Sequence, residues 1–295
     1  MKYTQLGEKE SREEEGGGQT MKVGYLGPRG TFSEEASFRF FEGQDVTWKA
    51  CTSIPDVLYA IQEQDVDYGV VPIENSIEGS VSMTIDTLSG NEDLFVTAEI
   101  VMPIEQGLLT NPGCKVSDIK EVWSHPQGLA QCRNFIREIG AEAKTYDSTA
   151  KAAQEVAASK RTDVAAIGSS WAAKIFGLEI LQSNLQDLTE NHTRFVVVRK
   201  GAIPLPESDH TMLLVTLSEE RPGALVHVLN IFAAFGLNLI RLESRPTRKK
   251  LGTYQFFIDV EAGVETDDMQ KAVSVIGTFG HQVRVLGGYK KDKKK

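Results

Sequence analysis

One pattern recurs along the first two thirds of the chain and limits its fold more than any other. A short apolar run ends at a small polar residue, and an amphipathic segment follows at once. KVGYLG (22–27) leads to TFSEEASFRFF (31–41), and VTWKA leads to SIPDVLYAIQEQ. Further on, EVWS precedes HPQGLAQCRNFIREIG, AKTYD precedes STAKAAQEVAAS, and DVAAIG precedes SSWAAKIFG. Short apolar runs suit buried strands, and the longer segments repeat their apolar residues at helical spacing. Strands alternating with helices imply α/β architecture, with parallel sheets covered on both faces. The helix starts agree with this. Thr31 and Glu34 make a capping-box pattern, and Ser53 precedes a helix with Pro55 in its first turn.

The repeats fall into two groups. The apolar stretch VTAEIVMPIEQGLLT (96–110) joins them, and residues 180–198 lead back. A double crossover of this kind predicts two lobes with a cleft between them. Ligands of such sheets sit beyond the carboxyl ends of the strands. The loops to watch are therefore 27–33, 72–80, 124–128, 147–149 and 168–170. Thr193 and Arg194 stand on the return crossover, facing the cleft. After residues 21–200 the composition changes. KGAIPLPESDH reads as a linker (201–210), and residues 211–288 follow βαββαβ order, the ferredoxin-like arrangement. Residues 289–295 read as a solvated basic tail. Residues 1–20, polar, acidic and glycine-containing, read as a disordered leader or extension without the apolar core of a secretory signal.

Bulk charge narrows the function. The 295 residues carry 32 Lys and Arg against 41 Asp and Glu, a net charge of −9. General nucleic-acid binding needs a basic face and is not expected. No apolar run reaches the roughly 20 residues that span a membrane. Three cysteines, an odd number without metal-ligand spacing, fit a reducing cytoplasm. In an acidic protein that handles an anion, each Arg near a strand end becomes informative.

The loops carry hydroxyls and amides. Thr31 and Ser33 open one helix. Asn75, Ser76 and Ser80 follow a buried strand. His125 and Gln127 open another helix, and Ser148 and Thr149 a third. Taken singly, each reads equally as a capped turn or polar loop. Together with Thr193 and Arg194 they suggest a site for a small polyanion and for electrostatic or acid catalysis. No metal cluster or nucleophilic triad emerges. His192 makes a poor base for Thr193, because neighbours on a strand point to opposite faces.

Six segments in order, GPRGTFSEEA, PIENSIEGSV, SHPQGLAQC, NHTRF, PGALVHVL and ESRP, closely resemble the prephenate dehydratase family from about Met21 to Gly288. The resemblance implies a two-lobed catalytic domain like type 2 periplasmic binding proteins and a C-terminal ACT regulatory domain. It implies catalysis by Thr193 and Arg194 of the TRF motif, with Phe195 beside them in an apolar run that also reads as core. It assigns L-phenylalanine binding to Gly223, Ala224, Leu225 and Val226, and to Glu243, Ser244, Arg245 and Pro246. Neither cofactor nor metal is implied. The family's pairing of ACT domains implies a homo-oligomer, a dimer or a tetramer. Gly128 stands where the family pattern has Ala, a change expected to affect little beyond loop flexibility. The leading 20 residues are too few for a fused chorismate mutase.

The implied substrate, prephenate, has a ring carboxylate and a pyruvyl carboxylate. Losing CO2 and the ring hydroxyl yields phenylpyruvate in L-phenylalanine biosynthesis. Thr193 is expected to hydrogen-bond the departing oxygen or relay a proton to it, with His125 as one source. Arg194 is expected at the pyruvyl carboxylate, unless strand alternation turns it toward the other lobe or makes it a buttress. Asn75, Ser76, Thr149 and the amides after Gly30 are expected at the ring carboxylate. The alternatives are arogenate dehydratase and a non-catalytic ligand-binding or sensor protein on the same scaffold. Removing residues 205–295 is expected to abolish phenylalanine sensitivity and leave some activity.

Overall fold

The computed structural model describes residues 20–201, 207–219, 221–247 and 253–291. The first lobe contains β1 (Met21–Leu26), α1 (Phe32–Phe40), β2 (Val46–Cys51), α2 (Ile54–Gln62), β3 (Tyr68–Asn75), β4 (Gly79–Ser80), α3 (Ser82–Ser89) and β5 (Leu94–Pro103). The second contains β6 (Gly107–Thr110), β7 (Glu121–Ser124), α4 (Pro126–Gln131), α5 (Arg133–Ile139), β8 (Glu142–Thr145), α6 (Thr149–Ser159), β9 (Val164–Gly168), α7 (Ser170–Phe176) and β10 (Glu179–Gln182). β11 (His192–Lys200) returns to the first lobe. β12 (His210–Thr216), α8 (Ala224–Ala234), β13 (Leu239–Pro246), β14 (Tyr254–Val260), α9 (Asp267–Thr278) and β15 (Gln282–Tyr289) complete the chain in the expected βαββαβ order.

Each lobe is a mixed sheet with a parallel centre. The first runs β2-β1-β3-β11-β5, with β4 on β3, and the second β10-β6-β9-β7-β8. β1 is parallel to β2 and β3, and β7 is parallel to β8 and β9. β11 is antiparallel to β3 and β5, and β6 to β9 and β10. The departure from purely parallel sheets comes from the double crossover, which brings these strands in reversed. The long apolar run 96–110 splits between sheets, with residues 104–106 bridging them. The local grammar holds at the helix starts: Thr31, Ser53, Ser148 and Ser169 each accept a hydrogen bond from a first-turn amide. These caps satisfy donors that the helix itself leaves unpaired.

The third sheet runs β13-β14-β12-β15, all antiparallel. Leu213, Val215, Phe256 and Ile258 pack with Val228, Phe232 and Met269 of the two helices. The other face is also buried. Met212, Leu214, Phe257, Leu286 and Tyr289 share one apolar cluster with Leu94, Val96, Val196 and Val198 of the first lobe. At Gly287 a Cβ would lie 1.9 Å from the Val96 carbonyl oxygen, so the backbones meet directly.

This shared core moves two expected boundaries. His210, placed in the linker by sequence, begins β12 and is buried. Tyr289, placed in the basic tail, ends β15 and is fully buried. Residues 202–206 of the linker, 292–295 of the tail and 1–19 of the leader lie outside the described residues. Cys51, Cys114 and Cys132 are buried free thiols. Among the described residues no helix is long and apolar enough to cross a membrane.

Candidate active site between the lobes

A cavity of about 580 Å³ opens between the two lobes. The first lobe contributes Thr31 and Ser33 at the start of α1, Asn75 at the end of β3, and Thr193 and Phe195 on β11. The second contributes His125 and Gln127 at α4 and Ser148 and Thr149 at α6. The N-terminal ends of α1 and α6 thus both border the cavity. Helix N-termini carry partial positive charge, so this arrangement favours an anion.

Thr193 is the most sharply defined group. It pairs with Asn75 across β11 and β3. The Asn75 side-chain Nδ2 donates to Thr193 Oγ1 at 2.9 Å and to Asn191 Oδ1 at 2.8 Å. The Asn75 Oδ1 accepts the Ile77 and Glu78 amides, both at 3.0 Å, which fixes the amide's orientation. Thr193 Oγ1 is therefore an acceptor toward Asn75, and its own proton is left for another partner. Phe195 is 2% exposed, so it is core and cavity wall together.

Some expected contacts serve the fold. Thr31 Oγ1 donates to the Leu26 carbonyl and accepts the Glu34 amide. Ser148 Oγ accepts the Lys151 amide, and His125 Nδ1 accepts the Gln127 amide. The Gly30 amide donates to Glu34 Oε2 at 2.7 Å, so the anion donors of that loop begin after it. Ser76 and Ser80 do not line the cavity. Ser76 Oγ donates to the Glu190 carbonyl and accepts the His192 amide, tying its loop to the strand that carries Thr193. Ser80 Oγ accepts from Arg241 at 2.9 Å.

Arg194 corrects the sequence reading. It does not line the cavity, because alternation on β11 turns it to the opposite face from Thr193 and Phe195. Its Nε reaches Glu99 Oε2 at 2.5 Å, Nη1 reaches Asp259 Oδ2 at 2.6 Å, and Nη2 donates to Tyr289 Oη at 2.6 Å. Asp259 and Tyr289 belong to the third domain. Burial opposes the guanidinium charge, but the neighbouring Asp259 and Glu99 outweigh it and raise its pKa further. Burial also raises the Tyr289 pKa, keeping the phenol neutral.

The sequence reading missed Gln106, Gln131 and Lys151, all cavity-lining. Gln106 sits on the crossover between lobes, only 3% exposed, and its Oε1 is buried without a partner. A glutamine inside an apolar run was its only signal. Lys151 Nζ pairs with Glu155 at 2.8 Å, a spacing that reads as an ordinary surface pair. Gly128 is more than a flexible loop residue. A Cβ there would lie 2.7 Å from Ser124 Oγ, which is itself bonded to the Ile167 carbonyl.

In the third domain, Gly223 caps α8 in a left-handed conformation at φ 85°, with open space where a Cβ would stand. Ala224 is buried, Leu225 half-buried and Val226 exposed. On the edge strand β13, Glu243 accepts from Arg241 at 2.7 Å, and Ser244 and Pro246 are exposed. Arg245 forks onto Asp86 of α3 at 2.9 and 2.8 Å.

Fold and cleft together define a class: a two-lobed α/β enzyme scaffold with an anion-suited cleft and a ferredoxin-like domain packed against one lobe. The chain matches the prephenate dehydratase family over residues 23–202 and the ACT domain family over 211–277. It belongs to the prephenate dehydratase family, and is thus a dehydratase, a carbon–oxygen lyase. A prephenate dehydratase of Methanocaldococcus jannaschii is 41% identical over 270 residues, 90% of this chain and 96% of that one. The structure of prephenate dehydratase in complex with L-Phe from Arthrobacter aurescens superposes with a TM-score of 0.84 at 34% identity, covering 93% and 92% of the chains. A structure described as a quorum-quenching acylase superposes at 0.83 with 29% identity, covering 92% and 98%.

Proposed function

We propose that the chain converts prephenate to phenylpyruvate, CO2 and water at the inter-lobe cavity, under feedback from L-phenylalanine. The hydrogen bond from Asn75 to Thr193 carries this reading, because it leaves the Thr193 proton available to the leaving hydroxyl. In the reaction the bond from the ring to its carboxylate breaks, and its electrons complete the aromatic ring. The C–O bond breaks, and the departing oxygen takes a proton to become water. A threonine hydroxyl is too weak an acid to supply that proton outright. Thr193 therefore hydrogen-bonds the oxygen or relays a proton from solvent or His125.

The charge distribution fits the chemistry. The ring carboxylate becomes neutral CO2, so a strong cation against it would favour the ground state. Ser33 and the neutral amides suit that end. The pyruvyl carboxylate keeps its charge and suits the α6 N-terminus with Ser148 and Lys151, and Thr149, expected from the sequence at the ring carboxylate, goes with them because it opens the same helix. Withdrawal of Arg194 from the cleft leaves Lys151 as the only Lys or Arg among the described lining residues.

A second substrate, arogenate, is favoured by one observation: the unpartnered Gln106 Oε1 would accept a hydrogen bond from an ammonium group. Regulation rests on the GALV and ESRP residues and on the L-Phe complex of the Arthrobacter relative. Exposed Val226, Ile240 and Leu242 on α8 and the β13 edge suit pairing with a second copy, as a dimer or dimer of dimers in the cytoplasm. The test incubates purified chain with prephenate and, separately, arogenate, following phenylpyruvate and phenylalanine with and without added L-phenylalanine. Light scattering gives the assembly. Phenylpyruvate formation that L-phenylalanine suppresses is expected. No product from prephenate contradicts the reading.

A further inference from the structure

Arg194 stands between two residues that line the cavity, yet its side chain ends in another domain. The β3–β11 register shifts between Arg194 and Phe195 because β3 carries one extra residue there, Ile73, while β11 stays in step with β5 through the same stretch. The extra residue bends β3, and β11 keeps the alternation that sends Arg194 and Thr193 to opposite faces. The two side chains leave one short stretch of regular backbone, so what holds the Arg194 guanidinium also holds the backbone that aims Thr193. Four groups hold it: Glu99 and, at 3.5 Å, Glu74 from the first lobe, and Asp259 and Tyr289 from β14 and β15. Asp259 is 1% exposed and Tyr289 0%, on the sheet face that packs against the first lobe. An acid so deeply buried in an otherwise apolar strand needs a charged partner, and Arg194 is that partner.

We propose that Asp259 and Tyr289 are positioning residues for the dehydration, holding Arg194 and through it the aim of Thr193. The ACT domain then completes the catalytic strand. The contact also gives the effector segment a physical route to the cleft. Glu243 accepts from Arg241, Arg241 sits opposite Asp259 in the β13–β14 register, and Asp259 holds Arg194. Arg241 further donates to Ser80, whose backbone pairs with Glu74 on β3. An amino acid whose ammonium engages Glu243 competes with Arg241 for that carboxylate and disturbs the next link. This extension rests on the prephenate dehydratase reading and on L-phenylalanine as effector.

The test uses Asp259→Asn and Tyr289→Phe in the full chain. Three quantities are read: kcat and KM for prephenate, the L-phenylalanine concentration for half-inhibition, and amide hydrogen exchange over residues 192–196 without substrate. Misplacing a reacting group by about 1 Å costs up to about 100-fold in rate, so kcat is expected to fall about 10- to 100-fold. KM should stay within about 3-fold, because neither residue borders the cavity, a loss of rate without binding that marks positioning. Exchange at 192–196 should quicken, and half-inhibition should shift. Folded variants with wild-type kcat and exchange overturn the proposal. If Asp259→Asn does not fold, Tyr289→Phe, which removes a single hydroxyl, decides alone. If the wild-type chain makes no phenylpyruvate, the functional reading fails, and hydrogen exchange still judges the link to β11.

Discussion

Thr193, Arg194 and Phe195 are consecutive, yet they serve different neighbours because a strand alternates its side chains. Thr193 meets Asn75 and the cavity, while Arg194 meets Glu99, Asp259 and Tyr289. The motif and its place at the cleft were legible in the sequence, and so was the warning that the two side chains point apart. The destination of Arg194 was not, because Asp259 lies 65 residues away in a strand that reads as ordinary core. Removing one partner of a buried ion pair costs about 3–5 kcal/mol. Arg194→Met should lose stability on that order in urea unfolding and leave KM for prephenate nearly unchanged. A several-fold rise in KM at unchanged stability would return Arg194 to the substrate. The thiols offer a second check at this scale. Burial, with Asp187 adding to it, pushes the Cys132 thiol up to about 12. A thiol held protonated and buried reacts slowly. Cys51, Cys114 and Cys132 should resist a disulfide reagent in the native chain and all three react on unfolding.

Among the elements, the 27–33 loop shows how a local rule can hold while its purpose differs. Thr31 caps α1 as its spacing with Glu34 predicts. Glu34 does not close a capping box, however. Its buried carboxylate accepts from Tyr25, the Gly30 amide and Trp171 Nε1, each at 2.7 Å. Trp171 lies on α7 of the other lobe, so Glu34 ties the lobes together. No sequence pattern reports such a tie, because it joins residues 137 apart in different sheets. Gly30 sits in the same seam at φ +85°, and a Cβ would lie 2.7 Å from Phe176 Cε2. Left-handed backbone and overpacking each cost about 1–3 kcal/mol. Gly30→Ala should therefore lower the melting temperature by several degrees and raise KM as the lobes fit less closely. Unchanged melting and KM would mean that the lobes do not depend on this contact.

At the scale of the molecule, the order of lobes, crossover and βαββαβ domain was readable from strand and helix grammar. The union of the two domains was not read, although a sign of it was present. TMLLVT and FFI place large apolar residues on both faces, as in strands covered from both sides. A βαββαβ sheet covers one face with its own helices, so the second face needs another partner. Here that partner is the first lobe, through Met212, Leu214, Phe257 and Leu286 against Leu94, Val96 and Val198. The expectation that a chain shortened at residue 205 keeps some activity is revised accordingly. Such a chain exposes this apolar face and leaves Arg194 without two partners, so it should be aggregation-prone and inactive. The full chain should unfold with these domains in one calorimetric transition. A soluble, active truncation would show the interface to be dispensable.

Turnover of prephenate by wild-type and Thr193→Val chains, both confirmed folded by circular dichroism, tests the central claim most directly. A positioned acid or leaving-group partner contributes about 100- to 10,000-fold. The wild-type chain should form phenylpyruvate, and the variant should lose at least about 100-fold in kcat with KM within about 3-fold. Near-normal kcat in the folded variant would contradict the assignment of Thr193 and, with it, the proposed chemistry of the cleft.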